Sequence, residues 1–429
     1  MQESTITVVL AGGVGTRLHP LTAERAKPAV PFGGKYRIID FTLSNCLHSG
    51  MRRVLVLTQY KSHSLQKHLR DAWSVFNPRI GEYITIVPPQ MRTGESWYAG
   101  TADAVYQNLY LLRRSAAERV LILSGDHIYR MDYAAMLQFH SDNNADATVA
   151  CMKVPLNEAS AFGVMSVDHD GRITSFQEKP TQIRHMPGDA DHALASMGIY
   201  VFSCQALCDI LDDDAGKTDS THDFGKDILP RLIHSNSVYG YQFGGERGRV
   251  RADGYWRDVG TIDAYYAANM DLLQAEPPIN LYQPDWRICG VEGQSPPARA
   301  VPGKSGDRAT IDNAILGAGT VVAGGAVQNS ILFQNVRVDQ RAVVSDSILF
   351  DDVEVGPSAH LERCIVDKHV KIPPGTRIGV DGYRDSQRFI VSDGGIVVVP
   401  RDYRFNSLAR PPKPKRLFEP PLVSKKATA

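Results

Sequence analysis

Residues 5–41 read TITVVLAGGVGTRLHPLTAERAKPAVPFGGKYRIIDF, and this stretch predicts the fold of the first half of the chain. The apolar run ITVVL is typical of a strand buried on both faces of a sheet, and it leads to Gly12 and Gly13. Glycines after such a strand let backbone N–H groups approach a polyphosphate, and Arg17 and Lys27 follow as cations that would neutralise it. The stretch therefore predicts a phosphate site at the end of a strand.

The glycine spacing matches neither of the two common phosphate-binding motifs. A P-loop ends in GKS or GKT and a dinucleotide site needs G-x-G-x-x-G, whereas this stretch reads GGVGTR. An ordinary strand-to-loop turn with solvated cations is the alternative, and for the glycines by themselves it is the preferred interpretation.

Length and composition predict a folded protein with two domains. The chain has 429 residues, more than one ordinary core holds, and 43% of them are hydrophobic. Basic and acidic residues each number 47, so net charge gives no reason to expect nucleic acid or a membrane as partner. The six cysteines include no C-x-x-C pair and no apolar run is long enough to span a membrane, so we expect a cytoplasmic protein.

Apolar strands alternate with helical segments along the first 275 residues. We predict strands at 53–58, 82–87 and 120–124, and helices at 62–73, 102–114 and 262–275. This alternation favours an α/β domain with a mostly parallel sheet, in which ligands bind beyond the carboxyl ends of the strands. The glycine turn and the tripeptide Gly125-Asp126-His127 both follow predicted strands, so we expect them to be neighbours.

Two aspartates are candidate metal ligands. Asp126 follows a predicted buried strand, where a carboxylate can hold a divalent cation against a substrate phosphate. Asp258, in GYWRDVGT, is the second candidate. An aspartate in either place is also a common turn or helix-cap residue, and spacing leaves both interpretations open.

Residues 162–180 predict a β-hairpin around DHDG that ends on Glu178 and Lys179. Adjacent residues in a strand point to opposite faces, so this pair can reach one ligand only where the strand ends or twists. Pro180 favours such an end.

The second half of the chain contains a repeat of seventeen residues: SILFQNVRV at 330–338, SILFDDVEV at 347–355 and CIVDKHVKI at 364–372, with a less regular copy at 313–322. Stacked coils of about eighteen residues bury one apolar column per side, so we predict a short parallel β-helix. A β-sandwich is the competing architecture, but a repeat with identical apolar phase is unusual there.

The combined motifs resemble those of the bacterial glucose-1-phosphate adenylyltransferases. GGxGTR with RAKPAVPFGG and RIIDF is typical of sugar nucleotidyltransferases, whereas ESWYAGTADAV at 95–105 and SGDHIYRMDY at 124–133 are similar to the adenylyl branch. The resemblance runs from about Thr5 to about Arg404. It implies conversion of ATP and α-D-glucose 1-phosphate to ADP-glucose and diphosphate, the committed step of bacterial glycogen synthesis, with Mg²⁺ as cofactor.

The resemblance and the composition together imply four parts. We expect an α/β nucleotidyltransferase domain, Rossmann-like, at 1–275 and a left-handed parallel β-helix at 309–400. A segment rich in proline and glycine at 276–308 is the predicted linker. Residues 401–429 form a C-terminal extension whose distal part we expect to be flexible.

The resemblance also assigns roles to single residues. No nucleophilic side chain is needed, because the sugar phosphate itself can attack the α-phosphorus of ATP. The implied groups are Arg17, Lys27 and Asp126 in catalysis; Leu10, Gly12, Gly13, Gln90, Trp97, Gly100, Thr101 and Asp103 in ATP binding; Tyr98, Gly163, Glu178, Lys179 and Ser196 in glucose 1-phosphate binding; and Asp126 and Asp258 in Mg²⁺ binding.

Regulation is implied in the same way, since members of this family are generally homotetramers controlled by phosphorylated or carboxylate metabolites. The basic effector positions match Arg25, Arg37, Arg114, Lys368 and Arg401. Glu24 and Pro31 stand where enzymes activated by fructose 1,6-bisphosphate have Lys and His, so we expect a less charged effector such as fructose 6-phosphate or pyruvate. Val14 replaces an arginine present in several relatives.

Three other functions would share part of these features. A nucleotidyltransferase for another nucleotide or sugar phosphate would share most of the motifs. A hexapeptide-repeat acyltransferase would share the β-helix, although His360 and His369 lie in or beside coils, where surface polar residues are expected. A non-catalytic regulatory subunit would be expected to lack Asp126, Lys179 or Asp258, and all three are present.

Overall fold

The computed structural model of the chain describes residues 4–13, 15–90, 97–183, 185–186, 188–245, 248–250 and 254–405. The chain divides into two compact units, Met1–Gln294 and Ser295–Ala429. The predicted linker, 276–308, is not a separate segment, because the boundary between the units lies inside it. Trp286 is buried in the first unit, and Arg299–Val301 is a strand of the second. The part of the C-terminal extension that we expect to be flexible lies outside the described residues from 406 onward.

The first unit combines strands and helices. Its strands in the described ranges are β1 Thr5–Ala11, β2 Pro31–Phe32, β3 Tyr36–Arg37, β4 Arg53–Thr58, β5 Tyr83–Val87, β6 Arg119–Ser124, β7 His127–Tyr129, β8 Ala147–Pro155, β9 Gly163–Val167, β10 Ile173–Glu178, β11 His192–Ser203, β12 Val238–Gln242 and β13 Trp256–Asp258. Its α-helices are α1 Ile38–His48, α2 His63–Ala72, α3 Thr101–Tyr106, α4 Leu109–Arg114, α5 Tyr133–Asp142, α6 Leu156–Ala159, α7 Cys204–Ala215, α8 Leu229–Ser235 and α9 Ile262–Met270. Within the described residues, each helix is too short or too polar to cross a membrane.

The central sheet has the order β10-β9-β11-β6-β1-β4-β5, and β8 and β12 continue it beside β11. Strands β6, β1, β4 and β5 are mutually parallel, whereas β11 runs antiparallel to its neighbours. Strand β1 is apolar on both faces because Ile6 and Val8 pack in one core cluster and Val9 and Ala11 in another. The predicted α/β fold of this unit is confirmed.

Strands β1 and β6 bring the glycine turn and the first candidate carboxylate together, as expected. Leu10 is paired with Ser124, and the N–H of Gly125 donates to the carbonyl of Leu10 over 3.0 Å. The segments that follow β1 and β6 therefore leave the sheet at the same edge, directly beside each other.

The segment 102–114 is two helices instead of the single one that was predicted. The helix α3 ends before Asn108, which has φ −111° and ψ 8°. The Nδ2 of Asn108 donates to the carbonyl of Ala104 over 2.8 Å, and such a side-chain bond competes with the regular backbone ladder. The break separates α3, which borders the site, from α4.

The second unit is a parallel β-helix. Its described strands are β14 Arg299–Val301, β15 Thr310–Leu316, β16 Val321–Ala323, β17 Ala326–Leu332, β18 Arg337–Val338, β19 Val343–Ser345, β20 Ile348–Leu349, β21 Glu354–Val355, β22 His360–Glu362, β23 Cys364–Val366, β24 Lys371–Ile372, β25 Arg377–Ile378, β26 Ile390–Val391 and β27 Val397–Val399, with the short helix α10 at Gly382–Ser386.

The seventeen-residue repeat sets the register of these coils. Ile331 is paired with Ile348, and Ile348 with Ile365, so one apolar column forms in the predicted phase. A second apolar column joins the last residue of each repeat, on β18, β21 and β24: Val338, Val355 and Ile372. Corner residues with positive φ recur at the same spacing: Asn329, Asp346 and Arg363; Asn335, Asp352 and His369. The predicted repeat architecture is confirmed.

Replacing a residue of the column should unfold coils locally. We expect Ile348→Ala, at a fully buried position, to lower the free energy of unfolding of this unit by about 2–5 kcal/mol, because it leaves a cavity between stacked coils. Native-state hydrogen exchange of the amides of β17, β20 and β23 measures the loss. Glu354→Ala, on an exposed side chain nearby, is the control, and equal protection in the two variants would contradict the stacking argument.

Candidate active site

The glycine turn after β1 needs glycine at two positions. Gly13 has φ 103° and Gly15 has φ 62°, in the left-handed region that other residues rarely adopt. Around Gly15 the fit is also close, since an added Cβ would lie 3.0 Å from Cγ2 of Thr22. The turn therefore keeps its backbone exposed at the end of β1. Val14 lies outside the described residues.

Lys27 joins the two candidate carboxylates. Its Nζ lies 2.9 Å from Oδ2 of Asp126 and 2.7 Å from Oδ1 of Asp258, and the residue is only 8% exposed. Lys27 begins a 3₁₀ turn, Lys27–Ala29, in which Pro28 fixes the backbone. One ammonium group thus bridges residues that are 99 and 231 positions away.

A small two-stranded ribbon places Asp258 beside Asp126. The strands β7 and β13 are antiparallel, and Asp258 is paired with His127, the residue after Asp126. An added Cβ at Gly260 would lie 3.0 Å from both Nη2 of Arg17 and Oδ1 of Asp258, so glycine leaves space for these two side chains. Of the predicted catalytic residues, Lys27 contacts both carboxylates and Arg17 lies beside Gly260.

Charge pairing stabilises the ionised forms of this group. Burial by itself would lower the pKa of Lys27, but Asp126 and Asp258 outweigh it and raise that pKa. Burial would likewise raise the pKa of Asp126, but Lys27 and then His127 outweigh it and hold that pKa well below its ordinary value of 3.8. Asp126 and Lys27 are thus both charged at neutral pH.

Two neighbours of Asp126 were not predicted from the sequence. The hydroxyl of Ser124 donates to Asp126. The ring of His127 lies against Trp256, with centroids 4.7 Å apart, and its Nε2 is 3.5 Å from Oδ1 of Asp126. Burial lowers the pKa of His127, which favours the neutral ring. Both residues belong to the motif SGDHIYRMDY, so proximity in sequence to Asp126 was the available signal.

These groups border a cavity of about 310 Å³, the central cavity. The residues proposed from the sequence that line it are Leu10, Gly12, Thr101, Asp126, Gly163, Glu178, Lys179, Ser196 and Asp258. Lining residues that sequence reasoning missed are Ser124, His127, Tyr200, Asp223, Phe224 and Trp256. The structure thus brings both predicted metal ligands and four of the five predicted sugar phosphate residues to the cavity, together with three of the eight predicted nucleotide residues.

The hairpin of β9 and β10 ends as predicted, and a backbone change turns Lys179 toward the cavity. Strand β10 ends at Glu178, and Lys179 has φ 49°, an uncommon left-handed conformation for a residue other than glycine. Both Glu178 and Lys179 therefore line the central cavity, although adjacent strand residues normally face opposite sides.

Glycines shape the space around Glu178. An added Cβ at Gly163 would lie 2.8 Å from Oε2 of Glu178, and one at Gly225 would lie 2.6 Å from the same atom. Burial raises the pKa of Glu178, and Lys179 offsets part of that rise. Close approach of backbone on two sides therefore fixes the carboxylate at the wall of the cavity.

Residues 97–103 form a loop that runs into the first turn of α3. They include the predicted site residues Trp97, Tyr98, Gly100, Thr101 and Asp103, and of these Thr101 lines the central cavity. Asp103 accepts hydrogen bonds from the N–H of Ala99 and from Nε2 of Gln107, which holds the loop on α3. The hydroxyl of Tyr98 accepts from Asn108, and Trp97 is 57% exposed. The loop borders the cavity, and the binding roles of these residues stay predictions.

Gln90 lies elsewhere, on a depression of about 440 Å³ beside β5 that it shares with Arg114. Its Nε2 donates to the carbonyl of Pro88 over 2.8 Å. Residues 91–96, which connect Gln90 to Trp97, lie outside the described ranges. A role for Gln90 at the nucleotide stays a prediction.

The predicted effector residues have varied surroundings. Arg25 is only 2% exposed. Arg37 donates from Nη1 to the carbonyls of Ala29 and Ser64, so it braces the turn that begins with Lys27. Arg114 lies over the ring of Tyr110, with its Cζ 5.7 Å from the centroid.

In the second unit, the other two predicted effector residues are paired with carboxylates. Lys368 pairs with Asp351, and Nε of Arg401 lies 3.2 Å from Oδ2 of Asp402. An effector site built from these cations and those of the first unit stays a prediction.

The cavity combines what transfer of a nucleotidyl group requires: amides and cations for a polyphosphate, paired carboxylates for a divalent cation, and a separate polar wall. These are the features of a nucleotidyltransferase. The model of the Nucleotidyl transferase family matches residues 6–275, and the model described as GlmU-like, C-terminal hexapeptide matches residues 296–399.

Named relatives are similar over nearly the whole chain. Glucose-1-phosphate adenylyltransferase 2 of Vibrio cholerae is 59% identical over 405 residues, covering 94% of this chain and 100% of the relative. The protein of the same name from Vibrio vulnificus strain CMCP6 is 60% identical over 403 residues, with the same coverage. Glucose-1-phosphate adenylyltransferase of Methylococcus capsulatus is 48% identical over 402 residues, covering 94% of each chain. The chain belongs to the glucose-1-phosphate adenylyltransferase family.

Removing the bridging ammonium should make stability depend on pH with a definite sign. In Lys27→Met the two carboxylates face each other without a counter-charge, so we expect a loss of about 1–3 kcal/mol at pH 7.5 in EDTA. In the native protein the pKa of Asp126 is depressed. Its stabilising contribution is therefore fully present above about pH 3.8, the ordinary pKa, and is lost as the pH falls below that value toward the depressed pKa. In the variant that pKa is raised, so the destabilisation should shrink as pH falls to 5.5.

Urea denaturation at the two pH values measures this difference. Lys217→Met is the matched control, because it breaks the exposed pair between Lys217 and Asp213 and should cost less than about 1 kcal/mol at either pH. A loss in Lys27→Met that is equal at pH 7.5 and 5.5 would show that the two carboxylates do not depend on Lys27.

Proposed function

We propose that the protein catalyses the reaction of ATP with α-D-glucose 1-phosphate to give ADP-glucose and diphosphate. The observation that carries the proposal is the bridge from Lys27 to Asp126 and Asp258 at the floor of the cavity that Glu178 and Lys179 also line. The names of the relatives supply the substrate pair. In bacteria this reaction commits glucose to glycogen synthesis, and its control by metabolites is the family's known role.

The chain's own groups act on the phosphates by position and charge. An oxygen of the sugar phosphate attacks the α-phosphorus of ATP in line, and diphosphate leaves with the electron pair of the broken P–O bond. The amides of Gly12 and Gly13, with Arg17 and Lys27, hold the β- and γ-phosphates and stabilise the leaving charge. Because the attacking group belongs to the substrate, the protein needs only to align the two phosphates.

The donor set fits a hard divalent cation. Asp126, His127 and Asp258 each offer a ligand atom within 4.8 Å of the others, and two of the three atoms are carboxylate oxygens, which Mg²⁺ prefers. Asp126 and Asp258 would hold the ion, and His127 would border it. When bound, Mg²⁺ neutralises charge on the reacting phosphates.

The part of the cavity that Glu178, Lys179 and Ser196 line suits the sugar phosphate. Lys179 supplies a cation for the phosphate, whereas Glu178 and Ser196 accept or donate hydrogen bonds to glucose hydroxyls. The raised pKa of Glu178 follows from burial, so its carboxylate is lost at a higher pH than that of an exposed glutamate. Recognition of the hydroxyls by this carboxylate therefore weakens as the pH falls.

We extend the proposal to assembly and control on the basis of the family. The protein would act as a homotetramer in the cytoplasm, with a phosphorylated or carboxylate metabolite bound by Arg25, Arg37, Arg114, Lys368 and Arg401. Glu24 near Arg25 favours an effector of lower charge than fructose 1,6-bisphosphate.

Release of diphosphate with each nucleotide in turn tests the reaction. We expect ATP with glucose 1-phosphate and Mg²⁺ to support turnover at least tenfold faster than UTP, GTP or dTTP. Asp126→Asn keeps the size of the side chain and removes its charge, so kcat should fall at least about a hundredfold. Asp213→Asn, on an exposed surface, is the control and should leave kcat unchanged.

Two outcomes of that assay would contradict the proposal. Faster turnover with another nucleotide would move the protein to a different nucleotidyltransferase specificity. A change of less than about threefold in Asp126→Asn, equivalent to less than about 1 kcal/mol of barrier, would exclude Asp126 from metal binding.

Lys179 should act on one substrate only. In Lys179→Ala we expect the KM for glucose 1-phosphate to rise at least about tenfold, with the KM for ATP changed less than twofold, because the lost cation faces the sugar phosphate. Lys179→Arg retains the charge and should recover part of the affinity. Steady-state kinetics with each substrate varied in turn measures the split, and equal increases for both substrates would refute the assignment.

A further inference from the structure

Residues 220–225, here called the strap, lead from beside α7, where Ser220 bonds Asp214, to the wall of the central cavity. The strap follows α7 and ends in the π-helical turn Phe224–Ile228. Asp223, Phe224 and Gly225 line the cavity on the side of Glu178. The ring of Phe224 is buried against Tyr200, with centroids 5.5 Å apart. This end of the strap is therefore part of the wall proposed for the sugar phosphate.

The middle of the strap caps the N-terminus of α3. The carbonyl of His222 accepts from the N–H of Ala102 over 2.8 Å and from that of Asp103 over 3.3 Å, so it satisfies two free donors at the start of α3. Gly100 allows this approach, because an added Cβ there would lie 2.2 Å from the His222 carbonyl oxygen. The strap and the start of α3 are thus in direct backbone contact.

Thr101 completes the connection with its side chain. Its hydroxyl donates to Oδ2 of Asp223 and accepts from the N–H of Phe224, both over 3.0 Å. One residue that lines the nucleotide side of the cavity is therefore bonded to two residues that line the sugar side. Movement of either side must be transmitted through this pair of hydrogen bonds or must break them.

A buried carboxylate behind the strap holds its shape. Asp214, at the end of α7, is 2% exposed and accepts from Nδ1 of His222 over 2.7 Å. The same carboxylate accepts from Ser220 over 2.8 Å and from Arg231 over 2.7 Å. His222 has φ 55°, an uncommon backbone conformation that the bond to Asp214 stabilises. Asp214 lines a second cavity, of about 220 Å³, together with His222 and with Ala99, Ala102 and Asp103, and it is not among the residues that line the central cavity.

We infer that the strap couples binding of the nucleotide to binding of the sugar phosphate, and that Asp214 and His222 are positioning residues for this coupling. The inference rests on the proposed function, since it assigns the two sides of the cavity to ATP and glucose 1-phosphate. A nucleotide that contacts Thr101 restricts its movement, and the two hydrogen bonds of Thr101 then hold Asp223 and Phe224 in the geometry that the sugar phosphate requires. The second ligand binds to a wall whose movement is already restricted, so its affinity rises.

Calorimetric titration of the full-length protein with glucose 1-phosphate, with and without saturating Mg²⁺ and α,β-methylene-ATP, measures the coupling. In the native protein we expect the analogue to lower the Kd of glucose 1-phosphate at least about fivefold. In Asp214→Asn, which removes the charge that orients His222, this factor should fall below twofold. The Kd of the analogue by itself should change less than twofold, because Asp214 does not line the central cavity in which the phosphates are proposed to bind.

Two sets of variants separate coupling from general loss of stability. Asp213→Asn is the same substitution one residue earlier on α7, at an exposed side chain, and should keep the native coupling factor. Thr101→Val removes the hydroxyl that joins the two sides and should abolish coupling, whereas Thr101→Ser keeps the hydroxyl and should preserve it. The threonine pair provides the test if Asp214→Asn does not fold, because Thr101 is at the surface.

The outcomes distinguish this inference from the proposed function. If the native protein binds both ligands but the analogue leaves the Kd of glucose 1-phosphate unchanged, the inference is wrong and the function stands. Retention of the native coupling factor in both Asp214→Asn and Thr101→Val also overturns it. If the native protein binds neither ligand, the proposed function itself fails.

Discussion

The first unit is organised around one ammonium group held between two carboxylates. Nζ of Lys27 contacts Asp126 and Asp258, which come from parts of the chain far apart in sequence. Two half-buried carboxylates with oxygens within 4.8 Å would repel each other without a cation, so the turn at Lys27, the end of β6 and the ribbon of β7 and β13 stabilise one another. The same charge balance prepares the carboxylates for a divalent cation and the lysine for phosphate.

Backbone geometry supplies the rest of the site. Gly13 and Gly15 open the turn after β1, and Gly163 and Gly225 let the chain approach Glu178 closely. The parallel pairing of β1 and β6 places the glycine turn and Asp126 at one edge of the sheet, where ligands of α/β folds bind. A few charged side chains therefore define the site, and strand pairing and glycine positions hold them in place.

Local sequence patterns predicted the individual elements well. The apolar runs, the hairpin at 162–180 and the seventeen-residue repeat each encode one element, and each has the predicted register or pairing. The predicted single helix at 102–114 was wrong, because Asn108 bonds the carbonyl of Ala104 and interrupts the backbone ladder. Ser124 and Asp223 were missed because serine and aspartate are frequent in ordinary turns, and only their neighbours in space mark them.

The sequence by itself determined the fold class, the family resemblance and, apart from Asp223, the identity of the charged residues that line the cavity. Tertiary structure decided which charges meet: it brought Asp258 to Lys27 through the ribbon, turned Lys179 toward the cavity with a left-handed backbone, and joined Thr101 to Asp223. The physical reason is range. Strand, turn and repeat preferences act over a few residues, whereas these contacts depend on how distant segments pack.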